Sequence, residues 1–506
     1  MNPITTLPAA LRHAAETWPD KAAIVDGSRI VTFADLHDEA RSLAKSFIGN
    51  GFQARDRFAI WAPNSIEWQV TTLAGQLAGC VLVPLNTRYK AAEADDIVSR
   101  SGCRALFHVD SFLDTNYTAM AAGISVEHRV DIAGCQAWGT REVSEEELEA
   151  RIAEISADSL MDVLYTSGTT GAPKGVMCTH SQNLRVFNTW SNGVTLSADD
   201  QYLIVNPYFH SFGYKAGWLA ALIQGATVHP VPVFDLDTVL EIIQDRGISF
   251  LPGAPTIFQS ILAHPGRDDY DLSSLRCAVT GAASVPVQLV KDMKHVLGFD
   301  EIYTAYGLTE STGVVSLCKP GDDFETIATT SGKPMDGIEV QVTREDGTAA
   351  EPEEIGEIWV RGFNVMKGYL DDPAATSETI TDDNWLRTGD IGYFTPAGYL
   401  RITDRIKDMY ISGGFNCYPA EIENTLLGHD AVQDVSVIGI ADQRMGEVGK
   451  AFVVLAPGSS PEQEDIISWA RERLANFKVP RQINFIDELP RNASGKVQKF
   501  LLRERD

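Results

Sequence analysis

The feature that most restricts the fold of this chain is a repeated alternation of short apolar runs with amphipathic segments up to about residue 271. Lys21-Ala-Ala-Ile-Val-Asp and Arg29-Ile-Val-Thr-Phe read as two strands joined across Asp26-Gly27. Phe33 to Asn50 carries helical periodicity and stops at Gly51, and Arg57-Phe-Ala-Ile-Trp-Ala is a short apolar strand ended by Pro63. A helix from Ile66 to Ala78 and the strand Cys80-Val-Leu-Val-Pro repeat the pattern. Further along, strands such as Ala105-Leu-Phe-His-Val and Gly247-Ile-Ser-Phe-Leu alternate with helices such as Thr238 to Arg246. Parallel neighbours need a crossover, usually a helix, so this order predicts mostly parallel sheets covered by helices, the α/β plan.

The texture changes after about residue 325. Gly337-Ile-Glu-Val-Gln-Val, Gly356-Glu-Ile-Trp-Val-Arg and Gly398-Tyr-Leu-Arg-Ile-Thr are short strands set between Gly, Pro and Asp turns, which predicts a small antiparallel region. From Asp404 a smaller α+β unit is expected: helix Glu421 to Leu427, strands Val435 to Ile440 and Lys450 to Leu455, helix Pro461 to Leu474, and strand Gln482-Ile-Asn-Phe-Ile. The expected division is residues 1–403 and 404–506, since 506 residues exceed what a single core usually serves.

Charge narrows the partners. Lys plus Arg total 42 against 69 Asp plus Glu, a net charge of -27, so no basic face is available for a nucleic-acid backbone. A small anionic ligand stays open, because the field inside a cleft can oppose the net charge. No run approaches the ~18 to 20 apolar residues of a membrane span, so no stable membrane insertion is expected. Met1-Asn-Pro-Ile-Thr-Thr-Leu-Pro has neither a basic start nor an apolar run. The seven cysteines are dispersed with no CxxC pair, which reads as reduced thiols and makes the cytoplasm the expected compartment. A homodimer is compatible with this composition.

The chemistry concentrates first in Tyr165-Thr-Ser-Gly-Thr-Thr-Gly-Ala-Pro-Lys-Gly175, which contains almost nothing that fills a core. Val163-Leu-Tyr reads as a strand entering it and Cys178 to Trp190 as the helix beyond. Glycines let successive backbone N–H groups turn toward an anion, hydroxyls add neutral donors, and Lys174 adds a mobile positive charge. The segment is not a Walker A motif, since Gly175 rather than Ser or Thr follows the lysine. It suits a triphosphate, and a solvent-exposed turn is the alternative.

This loop resembles the phosphate-binding signature of the adenylate-forming superfamily, which includes acyl-CoA synthetases, firefly-type luciferases and the adenylation domains of peptide synthetases. Further matches follow in the family's order. Thr280-Gly-Ala-Ala is similar to the small-residue stretch beside the adenine, and Tyr306-Gly-Leu-Thr-Glu310 to the segment that meets adenine, α-phosphate and magnesium. Trp385-Leu-Arg-Thr-Gly-Asp390 resembles the ribose-binding segment, Asp404-Arg-Ile-Lys-Asp408 the interdomain hinge, and Pro490-Arg-Asn-Ala-Ser-Gly-Lys496 the C-terminal lysine loop. The matches cover nearly the whole chain.

The resemblance implies a fold with a large N-terminal domain of α/β subdomains plus the antiparallel region, and a mobile α+β C-terminal domain. It implies ATP, Mg2+ and coenzyme A, with a small-molecule carboxylic acid as the fourth partner. On the matching positions it places Thr166, Ser167, Gly168, Thr169, Thr170, Gly171 and Lys174 around the phosphates. Gly281, Ala282, Tyr306 and Gly307 would lie against the adenine, and Thr309 would donate to the α-phosphate. Glu310 would ligate the metal, Asp390 and Arg405 would hold the ribose side, and Lys496 would act at the α-phosphorus. Lys407 would be the hinge, where other members carry aspartate, and Gly413 and Gly414 would line the pantetheine tunnel. Arg444 and Lys450 are candidates for the coenzyme's phosphates.

For the acid, Phe209-His210-Ser-Phe212-Gly-Tyr-Lys215 is similar to the family's gate near the substrate carboxylate, with His210 at the gate. Phe209, Phe212, Ala282, Gly307 and Val314 would wall the pocket. Lys215 is expected either to point to solvent or to meet a keto or hydroxyl group of the acid. Asn206 to Gly217, Gly253 to Phe258 and Val279 to Pro286 resemble the actinobacterial branch that activates the propanoate chain of a two-ring steroid remnant. Medium-chain or aryl acids, and transfer to a separate carrier protein, are the alternatives.

Overall fold

The computed structural model describes residues 4–139, 141–166, 173–281, 285–405, 408–412, 415–474, 476–492 and 496–504, with backbone alone for 404, 405, 415 and 416. Two helix-covered sheets form the bulk. In the nine-stranded sheet, strands Glu301–Tyr306, Cys277–Thr280, Phe250–Gly253, Gln201–Ile204, Thr227–Pro230 and Ala22–Asp26 lie side by side, each pair parallel. Short antiparallel strands close both edges. The seven-stranded sheet pairs Leu160–Thr166, Val81–Pro84, Arg57–Trp61, Cys103–His108 and His128–Asp131 in parallel and adds antiparallel strands Lys174–Thr179 and Gly368–Tyr369.

Local signals set these elements. The helix Phe33–Gly49 opens on a capping box in which Thr32 accepts from the Asp35 N–H and Asp35 accepts from the Thr32 N–H. A second box, Thr179 with Gln182, opens His180–Gly193. That cap corrects the expected helix over Cys178 to Trp190. Residues Lys174–Thr179 are instead a strand, with Val176 and Cys178 buried, hydrogen-bonded antiparallel to Leu160–Thr166. Cross-strand pairing outcompeted the helical reading, and the glycine-threonine loop joins the two strands of a hairpin.

The antiparallel region is a four-stranded sheet ordered Ile338–Thr343, Gly356–Gly362, Leu386–Phe394, Leu400–Arg405. Its last strand carries Asp404 and Arg405, and the first described strand of the following unit is Tyr410–Ser412. That unit places Val432–Asp442 against Gly446–Leu455, with Gln482–Phe485 parallel to the latter and helices Pro419–Leu426 and Gln463–Arg471 alongside. The hairpin Tyr410–Ser412 with Phe415–Cys417 was not anticipated. Among the described residues no helix is long and apolar enough to cross a membrane. All seven cysteines are buried and free.

Candidate active site

The candidate residues gather where the parallel strands end and the antiparallel sheet approaches. Thr166 and Lys174 face each other as the last pair of the hairpin, so the two ends of the glycine-threonine loop are fixed at one point. Gly175 is held at its carbonyl by the Leu370 N–H, 2.8 Å away. The loop's own Ser167, Gly168, Thr169, Thr170 and Gly171 lie outside the described residues, as do Ala282, Lys407, Gly413 and Gly414.

Strand Glu301–Tyr306 delivers Tyr306 to its end, and the Tyr306 hydroxyl donates to Asp390 Oδ2 at 2.6 Å. Asp390 is nearly buried and sits in strand Leu386–Phe394 directly after Gly389, whose φ of 70° favours a residue without Cβ. Thr388 Oγ1 accepts from the Asp390 N–H at 3.1 Å, and Glu357 Oε1 accepts from the Gly389 N–H at 3.1 Å. Asp390 also pairs with Arg405 across the sheet, which puts the Arg405 backbone beside it. Gly281 follows strand Cys277–Thr280, where the Thr280 Oγ1 is buried and has no hydrogen-bond partner among the described residues.

After Tyr306 the chain turns tightly. A Cβ on Gly307 would lie 2.1 Å from the Gly313 carbonyl oxygen, so the glycine is required by backbone contact as well as by any ligand. Thr309–Ser311 forms a single 3₁₀ turn, closed at Thr312 with φ 59°. The Thr312 hydroxyl donates to the Asn364 carbonyl at 2.7 Å, which holds this uncommon conformation in place. Glu310 is gripped twice: its carbonyl accepts from the Met366 N–H at 2.9 Å, and its Oε1 accepts from the Tyr369 hydroxyl at 2.9 Å. Lys174 Nζ lies 5.1 Å from the centre of the Tyr369 ring. Among the described residues no group of three or more His, Cys, Asp or Glu is placed to hold a metal ion, so a cation at Glu310 would draw most of its shell from other ligands. That fits Mg2+, which takes one or two carboxylates and completes its shell with phosphate and water oxygens.

His210 heads the turn that leads into helix Tyr214–Leu219, and its Nδ1 accepts from the Phe212 N–H at 3.2 Å. An accepting Nδ1 puts the proton of the neutral ring on Nε2. Burial, reinforced by the positive charge of Lys496, pushes the imidazole down to about 4. Lys496 itself is exposed, on a loop whose base is pinned by the Lys496 N–H donating to Asn492 Oδ1 at 2.9 Å and the Arg491–Val497 bridge. Residues nearly three hundred positions apart in the sequence therefore share one electrostatic environment.

Lys215 departs from both expectations. It is fully buried, and its Nζ lies 2.9 Å from Asp162 Oδ1, which is also fully buried. Burial opposes the lysine's charge, but the Asp162 carboxylate outweighs it and holds Lys215 above its ordinary value. Asn183 donates to the other Asp162 oxygen at 3.0 Å. Lys215 lies in the segment Tyr214–Leu219, all of it buried, and Asp162 in strand Leu160–Thr166. Lys450 is likewise buried in its strand, with Nζ 5.4 Å from the Phe452 ring centre, whereas Arg444 is exposed. Tyr369, Thr312, Glu357 and Asp162 were missed from sequence. Each acts through a partner distant in the chain, and no local motif announces them.

The AMP-binding enzyme family matches residues 11–370, and the AMP-binding enzyme C-terminal domain matches residues 421–496. The chain is 48% identical over 518 residues to the 3-[(3aS,4S,7aS)-7a-methyl-1,5-dioxo-octahydro-1H-inden-4-yl]propanoyl:CoA ligase of Rhodococcus jostii (strain RHA1), covering 99% of this chain and 98% of that protein. It is 47% identical to the ligase of the same name from Mycobacterium tuberculosis (strain ATCC 25618 / H37Rv), covering 100% and 99%. Among solved structures, o-succinylbenzoate CoA synthetase from Bacillus subtilis, in complex with an acyl-adenylate intermediate, superposes with TM-score 0.85 at 30% identity, covering 98% of this chain and 97% of that one. With family models spanning both units and full-length relatives well above 30% identity, this chain belongs to the AMP-binding enzyme family.

Proposed function

We propose that this chain is an AMP-forming acyl-CoA ligase that joins coenzyme A to the propanoate side chain of a bicyclic, steroid-derived dione. The reaction converts acid, ATP and coenzyme A to acyl-CoA, AMP and pyrophosphate through an acyl-adenylate. The observation that carries the substrate is end-to-end similarity to two ligases named for that acid.

A free carboxylate resists thiol attack because its oxygen is a poor leaving group, and transfer of AMP to it supplies a good one. In our reading the loop from Thr166 to Lys174 cradles the β- and γ-phosphates. Tyr306, with Gly281, Ala282 and Gly307, flanks the adenine, and Asp390 with Arg405 holds the ribose. Thr309 donates to the α-phosphate, and Glu310 holds Mg2+, which would offset phosphate charge. Lys496 meets the charge that builds as the carboxylate attacks. His210, neutral at physiological pH, admits the substrate carboxylate without adding a competing cation beside Lys496. The unit beyond residue 403 then swings about Lys407, bringing Gly413 and Gly414 toward the pantetheine. Seven buried free thiols fit a reducing, cytoplasmic setting.

The test is pyrophosphate release with ATP across a panel of acids, with and without coenzyme A. The reading expects the bicyclic dione propanoate to exceed octanoate and decanoate in kcat/KM, with acyl-CoA as product. Equal or better turnover of the straight chains would replace it with medium-chain ligation.

A further inference from the structure

Glu310 and Lys174 come from segments more than a hundred residues apart, yet a third segment, 366–370, touches both. The Met366 N–H binds the Glu310 carbonyl, and the Leu370 N–H binds the Gly175 carbonyl, at 2.9 and 2.8 Å. Between them Tyr369 repeats the pattern with its side chain: its hydroxyl donates to Glu310 Oε1 at 2.9 Å, and its ring lies 5.1 Å from Lys174 Nζ. The segment is itself rigid. Gly368–Tyr369 pairs with strand Lys174–Thr179, and the Tyr369 N–H donates to Thr376 Oγ1 at 2.9 Å. Gly368, at φ 138°, has no space for a side chain, since a Cβ would fall 2.8 Å from Thr376 Cγ2.

We propose that Tyr369 is the positioning residue that holds the Glu310 carboxylate for a divalent cation and sets Lys174 beside it. This deepens the ligase reading and rests on Glu310 being the metal ligand. A carboxylate on a one-turn helix has free χ angles, and a hydrogen bond to Oε1 fixes which oxygen is engaged. Oε2 carries no hydrogen bond among the described residues and remains as the hard donor. The ring face attracts the Lys174 ammonium while leaving its protons for an anion.

The two contacts separate by substitution. Tyr369→Phe removes the hydroxyl and keeps the ring, and Tyr369→Leu removes both. The full-length protein is titrated with Mn2+ in the presence of ATP, bound metal being read by paramagnetic resonance, alongside the Mg2+ dependence of pyrophosphate release. Tyr369→Phe is expected to weaken Mn2+ binding about tenfold, the order of one hydrogen bond to a charged group. The same shift should appear in the Mg2+ concentration for half-maximal rate. Tyr369→Leu should also raise KM for ATP, which Tyr369→Phe should not. In a Glu310→Gln background, Tyr369→Phe should have no further effect on metal binding. Unchanged Mn2+ affinity in Tyr369→Phe, while Glu310→Gln loses it, overturns the inference and leaves the ligase reading intact. Unchanged affinity in Glu310→Gln means that Glu310 is not the ligand, and the inference falls with that assignment.

Discussion

The hydroxyl of Tyr306 and the Oδ2 of Asp390 lie 2.6 Å apart, joining the end of a parallel strand to the third strand of the antiparallel sheet. The contact fixes the aromatic ring and the carboxylate as one unit. Tyr306→Phe should therefore loosen Asp390 and raise KM for ATP by about tenfold, since a hydrogen bond to a charged group contributes ~1.5 to 3 kcal/mol. The KM for the acid should move far less. Steady-state kinetics with each substrate varied in turn decides it, and a larger shift in the acid's KM would show that the pair does not serve the nucleotide.

Burial lowers the His210 pKa most, and the Lys496 charge adds to it. Lys496→Ala should raise the His210 pKa from about 4, read by titrating its ring resonances, whereas Lys496→Arg should leave it low. The same Lys496→Ala change should slow adenylation about a hundredfold, the order of one lost transition-state contact of ~3 kcal/mol. Thioester formation from pre-made acyl-adenylate should be spared. Equal loss in both half-reactions would remove Lys496 from the adenylation step.

Lys215 and Asp162 predict a stability effect rather than a specificity effect. Lys215→Met strands a buried carboxylate and should cost about 3 to 5 kcal/mol in urea unfolding. Lys215→Met combined with Asp162→Asn should recover most of that loss, because no uncompensated charge remains. Single and double variants that melt alike would mean that the pair is not electrostatically coupled.

His180 is buried, its Nδ1 accepts from the Leu7 N–H at 3.1 Å, and burial pushes its pKa down to about 3. An unfolded histidine titrates near ~6.5, so the unfolded state binds the extra proton first. The stability His180 supports is thus complete above about pH 6.5 and is lost as pH falls toward 3, at about 1.4 kcal/mol per pH unit. His180→Gln should flatten that slope in denaturant titrations between pH 7 and 5. An unchanged slope would show that His180 does not contribute.

Much of the candidate site was legible because its residues are contiguous in the chain. The glycine-threonine loop, Tyr306 to Glu310, Trp385 to Asp390 and the Lys496 loop each need a particular local backbone and set of donors, and local requirements leave a trace in sequence. The helix start at Thr179 was misplaced because Cys178 belongs equally to an apolar helix face and an apolar strand. Pairing with Leu160–Thr166 decided between them.

By itself the sequence determined the alternation that builds parallel sheets, the antiparallel texture after residue 325, and which residues each glycine-rich turn offers. Periodicity and turn conformation are properties of neighbouring residues, so they can be read in order along the chain. The tertiary structure alone decided that Lys215 neutralises Asp162 rather than facing the acid, and that Lys496 acts on His210. It also decided that Tyr369 stands between Lys174 and Glu310. Each is a relation between side chains separated by tens to hundreds of residues. Charge burial and hydrogen bonding depend on distance in space, and only the packing of one sheet against another brings those distances into being.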